Sequence, residues 1–405
     1  MVKLRKILIN FIGVFKYLLA YIIFKARKSN KKYFLIAEKE NEARDNGYHF
    51  FKYMCNIKSD YIPVYVIRKK SADLKKVANL GKVIKYNSFY HYYIYISAYA
   101  CIGSQTIPYP GSKKLCMTFF KLKREKQIFV WLQHGITKDN LPYKNMSKEN
   151  TKYDLVTCSS KREQELFINN YGYSNNEAMI LGLCRFDNLP LQQKEPSKII
   201  LIMPTFRSWL SPKDVLKGAT YKENNKFLES DFFLTFSSLF KNIKFLDILK
   251  KYNYKVVFYL HYALQSYTKN FEYLFNNKII IADKEHYDVQ KLLIDSDILI
   301  TDFSSVFFDF AFMKKPLIYF QFDQEKYREY HYKDGYFSYQ NDGFGKVVRS
   351  IDDLVNEVSN LIECGLDSKY LNRIYSFFEY LDHNNCQRTY NSILEKMRVP
   401  EKLCK

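Results

Sequence analysis

The sequence predicts an α/β protein of two Rossmann-like domains with an interdomain cleft, preceded by a membrane-associating helix. Three observations predict it. Apolar runs of about five residues recur along the chain, short enough for buried strands. Helical patterns alternate with them, as in βαβ units of a parallel sheet. Polar residues with chemical uses stand directly after several runs, where open α/β sheets bind ligands. A chain of 405 residues suits two such domains. The expected divisions are 1–32 (membrane helix), 33–190, 191–380 and a C-terminal helix in 381–405.

Residues 7–24, ILINFIGVFKYLLAYIIF, are apolar apart from Asn10, Lys16 and the tyrosines. Lys3, Arg5 and Lys6 precede them, and Lys25, Arg27, Lys28, Lys31 and Lys32 follow. No small-residue cleavage site follows, which argues against a removed leader. A spanning helix needs about 20 apolar residues, so this run is marginal, and it holds a charge. The preferred reading is an interfacial helix on an anionic membrane, ahead of a spanning helix or a core helix. Lys and Arg number 63 against 42 acids, a formal charge of +21, which favours a polyanionic partner or an anionic lipid surface. The eight cysteines are scattered, with no CxxC and no zinc spacing, and read as free thiols.

In the first domain, Tyr33–Ala37, Pro63–Ile67 and Ala100–Gly103 read as strands, with helices over Asn46–Asn56 and Asn87–Ser97. Ile128–Leu132 is another strand, and His134-Gly135 stands at its carboxyl end. Such a histidine is either a hydrogen-bonded structural residue or a catalytic one. Gly135 lets the backbone turn sharply there. Leu155–Cys158 leads into the helix KREQELFINNY, and Met179–Leu183 runs into Cys184-Arg185-Phe186-Asp187. Residues 190–198 read as a linker.

In the second domain, Ile199–Met203 ends in Pro204-Thr205-Phe206-Arg207. A polar loop, 211–226, precedes one long helix, Asp231–Leu249. Val256–Leu260 is followed by His261, and Ile279–Ala282 by Asp283. Asp297–Thr301 opens a corner, Asp302, Ser304 and Ser305, before a further helix and the strand Pro316–Phe320. The serines either cap that helix or help its start hold a phosphate. Asp302 either joins that chemistry or braces the loop. Asp309, one turn in, either reaches a ribose or stays solvated. Asp295-Ser296-Asp297 looks like a DxD metal site but precedes its strand, so it reads as capping, and no metal is expected. The stretch YHYKDGYFSYQNDGFG, with Gly335, Gly343 and Gly345, reads as a flexible surface segment. Helices are expected over Ile351–Ile362 and Tyr370–Met397.

His134 in one half, and His261, Arg207 and the Asp302 corner in the other, all follow buried strands. Two Rossmann-like halves with their carboxyl edges on one cleft would be a glycosyltransferase-B (GT-B) architecture in outline.

WLQHGITKD, MPTFR, FYLH, the block LLIDSDILITDFSSVFFDFAFMKKPLIYFQFD and DGYF…GFGKVV resemble the CDP-glycerol glycerophosphotransferase family of teichoic acid primases and polymerases. The resemblance covers about 128–390. It implies a GT-B fold, with 33–190 as the acceptor domain and 191–380 as the donor (CDP-polyol) domain, and metal-independent transfer of a polyol phosphate from CDP-glycerol or CDP-ribitol. The acceptor would be a lipid-linked saccharide or a growing polyol-phosphate chain at the cytoplasmic membrane face. By similarity His134 is the general base and His261 assists at the donor phosphates. Asp302, Ser304 and Ser305 form the donor corner with Arg207, Thr205 and Asp309, while Gly135, Arg185 and Asp187 belong to the hinge. The sequence departs from the family at Phe303, where TDYSS has Tyr, at Cys184, where GxPRxD has Pro, and at Asn385-Cys386-Gln387, which replaces a Gly-Lys-Ser-Ser-like stretch. A GT-B sugar transferase with a nucleotide-sugar donor is the alternative. A nucleic-acid partner has no motif to support it, and a homo-oligomer stays open.

Overall fold

The computed structural model describes residues 2–27, 30–191, 195–210, 225–330 and 333–398, with the side chains of 2–10 and 225–226 left aside. The expected loop 211–226 lies almost wholly outside them, as do Lys28, part of the linker and the end of the C-terminal segment. The chain divides into two units, Met1–Ile136 with Tyr143–Asn188 and Asp382–Lys405, and Thr137–Pro142 with Leu189–Leu381.

Among the described residues, the first unit holds seven strands: β1 (Lys32–Ala37), β2 (Tyr61–Ile67), β3 (Lys82–Lys85), β4 (Ala100–Gly103), β5 (Ile128–Trp131), β6 (Leu155–Cys158) and β7 (Ala178–Ile180). They form one sheet in the order β3-β2-β1-β4-β5-β6-β7. Every pairing is parallel, for example Phe34 with Ala100 and Ala100 with Ile128. Central strands are buried end to end, the pattern of a sheet covered by helices on both faces. β3 was not expected from the sequence, and β7 is shorter and earlier than Met179–Leu183.

The second unit repeats the plan with β8 (Ile199–Ile202), β9 (Lys255–Tyr259), β10 (Ile279–Ala282), β11 (Ile298–Thr301), β12 (Leu317–Phe320) and β13 (Gly345–Val348). Their order is β10-β9-β8-β11-β12-β13, again wholly parallel. Each sheet therefore grows from its first strand in two directions. The loops after the first and fourth strands of the unit part there, leaving a crevice beyond their carboxyl ends.

Three expected elements take a different form. Asp231–Leu249 is two helices, Asp231–Lys241 and Ile243–Lys251. Asn242 ends the first and caps the second, its Oδ1 accepting from the N–H of Phe245 at 3.0 Å. Tyr370–Met397 is likewise split into Ser368–Phe377 and Asn385–Arg398. The glycine-bearing stretch after β12 is not a flexible surface segment. Phe337, Tyr339 and Phe344 are buried against Phe307, Tyr319 and Phe377. Its glycines allow close backbone approach, since a Cβ on Gly345 would lie 1.9 Å from the Leu317 carbonyl oxygen.

The C-terminal helix is part of the first unit, not a separate segment. Asp187 caps it, accepting from the N–H groups of Asn385 (2.9 Å) and Cys386 (2.8 Å). The N-terminal helix, Val2–Ala26, also packs there. Tyr17 and Ala20 are fully buried, and Tyr17 sits against Tyr92, Tyr95 and Phe119. One face is thus docked on protein, while Phe11, Phe15 and Ile22 on the other are more than 60% exposed.

Candidate functional site

In the first unit the histidine loop is held by groups far away in sequence. β5 ends at Trp131, and Gln133 takes a left-handed φ of 56° that redirects the chain into His134-Gly135. The fully buried Gln133 side chain donates to the Thr157 carbonyl (2.5 Å) and to Glu163 (3.0 Å). Asn46 donates to the carbonyls of Leu132 (3.2 Å) and Gln133 (2.8 Å). Its oxygen accepts from the Arg185 N–H at 2.9 Å. The Arg185 guanidinium donates from one nitrogen to Asp45 (2.8 Å) and to the His134 carbonyl (3.0 Å). These bonds fix the backbone under His134 while its side chain stays exposed. The surrounding protein disfavours the charged imidazole and lowers its pKa, Asp45 opposing and Arg185 and Lys39 adding to the effect. A neutral, solvent-reachable imidazole near pH 7 is what a general base requires.

Arg185 and Asp187, expected at a hinge, have assignable tasks inside the first unit. Arg185 clamps the histidine loop and Asp187 caps the last helix. Asp45, Asn46, Gln133 and Glu163 escaped the sequence reading. The signal available was Asp45 just before a helical pattern, and Asp45 is indeed its N-cap.

In the second unit, the corner after β11 meets the segment after β8, since these strands are neighbours. Asp302 accepts from the Thr205 N–H (2.8 Å), the Thr205 hydroxyl (2.6 Å) and the Phe303 N–H (2.6 Å). Its other oxygen lies 2.8 Å from Arg207 Nη1. Arg207 is wholly buried, and its fork bonds Asp323 twice, at 2.7 and 2.8 Å, with Nη1 also donating to the Thr205 carbonyl. Burial works against the charged guanidinium, but Asp302 and Asp323 more than compensate and push its pKa above the ordinary arginine value. Four rings surround it, Phe232, Phe303, Phe322 and Tyr327.

The expectation that Arg207 meets donor phosphates is therefore corrected. A buried guanidinium bonded to two carboxylates braces the corner. Thr205 and Asp302, 7% and 1% exposed, belong to the same brace. Asp309 is neither solvated nor open to a ribose, being 3% exposed. Ser304 and Ser305 remain half-exposed. They do not cap as a helix cap would: the helix Phe307–Phe312 starts at Val306 without a side-chain cap, and Ser304 Oγ reaches only the Val306 N–H at 3.4 Å. Phe303, at the position of the family tyrosine, stacks on Tyr327 at 3.8 Å.

His261 follows β9, half-exposed, with its ring stacked on Phe206 at 4.8 Å. Its Nδ1 accepts from the Ala263 N–H at 3.3 Å, so the neutral ring carries its proton on Nε2. Lys138, which the sequence reading passed over, is buried in this unit against Asp139, itself paired with Arg328 at 2.9 Å. Asp297 bonds the N–H groups of Ser197 and Lys198 at the opposite edge of the sheet, a structural use as expected. Among the described residues no group of three or more His, Cys, Asp or Glu is arranged to hold a metal.

Titrated by NMR, the His134 imidazole should show a pKa below the ordinary histidine value. Asp45→Asn should lower it further, because the lost carboxylate favours the protonated ring; an upward shift would contradict the clamp. Arg207→Met should lower folding stability by about 3–5 kcal/mol in urea denaturation, since two carboxylates would be left buried without their cation. A phosphate-binding arginine would leave stability nearly unaltered.

Comparison with known proteins places this geometry. A family model described as CDP-Glycerol:Poly(glycerophosphate) glycerophosphotransferase matches residues 18–395. The minor teichoic acid biosynthesis protein GgaB of Bacillus subtilis (strain 168) is 34% identical over 371 residues, which cover 91% of this chain and 40% of that protein. A teichoic acid poly(glycerol phosphate) polymerase of Staphylococcus epidermidis is 24% identical over 345 residues, covering 83% of this chain and 46% of the polymerase. The chain thus spans less than half the length of these two relatives. The solved structure of the wall teichoic acid polymerase TagF superposes with a TM-score of 0.68 at 19% identity, over 98% of this chain and 97% of that one, and so shares the fold. The two parallel-sheet units and a match that runs nearly from end to end agree: the chain belongs to the CDP-glycerol:poly(glycerophosphate) glycerophosphotransferase family.

Proposed function

We propose that the protein transfers a polyol phosphate, glycerol phosphate or ribitol phosphate, from a CDP-activated donor to a lipid-linked saccharide or polyol-phosphate chain in cell-surface polymer synthesis. The observation that carries this is the family match over 18–395, which takes in both the clamped His134 loop and the serine corner. The acceptor hydroxyl oxygen attacks the phosphorus that bears the polyol. The bond from that phosphorus to the CMP oxygen breaks and CMP leaves, while His134 takes the hydroxyl proton. His261, with a proton on Nε2, and the hydroxyls of Ser304 and Ser305 supply donors for the diphosphate. Arg207, Asp302 and Thr205 keep that corner in shape.

A donor panel with product sizing on a lipid-linked acceptor tests the reading. CDP-glycerol or CDP-ribitol should be consumed and UDP- or CMP-sugars left intact; the reverse would favour the sugar-transferase alternative. His134→Ala should lower turnover by at least about 100-fold, the lower range for a lost general base, with donor affinity kept.

The membrane reading concerns the same chain. No helix among the described residues is long and apolar enough to cross a bilayer. The exposed face of the N-terminal helix supports a peripheral attachment instead. Phe11, Phe15 and Ile22 lie on one side of it. Lys25, Lys121, Lys123, Arg124 and Lys126 line a groove beside its end. Apolar side chains flanked by cations suit an anionic membrane surface, at roughly 1 kcal/mol per nearby cation. The cytoplasmic face is the side on which a CDP-polyol would be met. Changing Phe11, Phe15 and Ile22 to Ser should release the protein from phosphatidylglycerol-containing vesicles in co-sedimentation, and undiminished binding would argue against this face as the attachment.

A further inference from the structure

Three residues past His134 the chain changes unit. It leaves the first unit at Ile136, belongs to the second over Thr137–Pro142 and rejoins the first at Tyr143. The segment that continues the histidine loop is thus built into the unit that carries the serine corner. Thr137, Lys138 and Asp139 are buried in it. Lys138 is paired with Asp139, and its ammonium stands 5.4 Å from the centre of the Tyr339 ring. Asp139 also meets Arg328 Nη1 at 2.9 Å, so one carboxylate serves two cations. Asn140 forms an antiparallel bridge with Lys333, and its side chain donates to the Asp334 carbonyl at 2.7 Å. Gly335 allows this approach, since a Cβ there would lie 2.0 Å from the Lys138 carbonyl oxygen. A simple connection would run over the surface. Burying a lysine instead costs free energy unless its charge is matched, as Asp139 matches it here.

This anchor reaches the serine corner within the same unit. The Arg328 guanidinium lies 5.5 Å from the centre of the Phe303 ring and 5.9 Å from that of Tyr339. Phe303 meets Tyr339 edge-on at 6.1 Å and is followed directly by Ser304. Burial lowers the Lys138 pKa, while Asp139 and Asp302 favour its charged form, so the lysine feels the corner's own carboxylate.

We propose that Thr137–Pro142 is a tether that positions the catalytic base for the reaction, with Lys138 and Asp139 as its positioning residues. The inference rests on the transferase reading above and goes beyond it, because neither residue is asked to touch substrate. Lys138 is 4% exposed and its ammonium is committed to Asp139, which leaves it no phosphate to meet. Asn46 and Arg185 hold the His134 loop from within the first unit. The Lys138–Asp139–Arg328 cluster holds the chain that leaves that loop. With that end loose the imidazole would wander from the acceptor hydroxyl, and a misplacement of about 1 Å can cost about 10²-fold in rate.

The test uses the full chain, CDP-glycerol and CDP-ribitol as donors, and a lipid-linked acceptor. Asp139→Asn should lower kcat at least about tenfold while donor affinity, read by calorimetry, stays within about twofold. Asn140→Ala, at an exposed position, should fold as the parent does and lower kcat about fivefold through the loss of one hydrogen bond. In a His134→Ala background neither change should lower the residual turnover by more than about twofold, since a misplaced base cannot harm a protein that has none. A fall by the same factor with and without His134, an unaltered kcat in both single variants, or a loss confined to donor affinity would overturn the tether. Should Asp139→Asn fail to fold, as circular dichroism would show, Asn140→Ala decides by the same criteria. If the wild-type protein turns over neither CDP-polyol, the transferase reading itself falls and the tether with it, a different result from loss of the tether alone.

Discussion

The second unit depends on one buried cation. Arg207 has no exposure to water, and a guanidinium in that setting is tolerable only when each side of its fork meets an acceptor. Asp323 takes one side in two bonds, while Asp302 and the Thr205 carbonyl take the other. These partners come from the ends of β8, β11 and β12. The demand for complete pairing therefore fixes three strand ends against one another. The half-exposed serines of the corner are positioned because the charge beneath them has no alternative arrangement.

The first unit reaches the same end by neutral means as well as ionic ones. Asn46 and Gln133 satisfy carbonyls around the His134 turn, and Arg185 joins the turn to Asp45. Preorganisation of this kind leaves the imidazole free to exchange a proton while its backbone stays put.

Much of this was legible in the residues. Central strands announce themselves as unbroken apolar runs, and β4 and β6 fall where the sequence put them, as does the edge strand β10, whose IIIA is also unbroken. β3 and β13 were missed because each is short and broken by exposed lysine: in KVIK both end residues are exposed, and in GKVV Lys346 is, so neither makes a continuous apolar run. Asn242 was a readable stop, a cap residue inside an overlong helical pattern. The aromatic stretch after β12 misled because glycines and tyrosines together look like a surface loop, whereas there the glycines let backbone pack on backbone. The positions of Arg207 and Asp302 followed from strand ends, but their direction did not. A sequence says that an arginine stands past a strand; it does not say that a carboxylate 116 residues later will claim it.

The capping of Asn385 and Cys386 by Asp187 has a consequence for how the molecule is made. The helix it secures is the last described element, and it covers the sheet formed by the first strands. The second unit is in effect inserted into the first. During synthesis the inserted body can close on itself while the earlier one still lacks a wall. Its apolar surface, with Tyr390, Ile393 and Leu394 still to arrive, then waits unshielded until the helix Asn385–Arg398 has been made. Cutting the gene at the apparent linker would not yield two independent halves, because one of them would lack its closing helix.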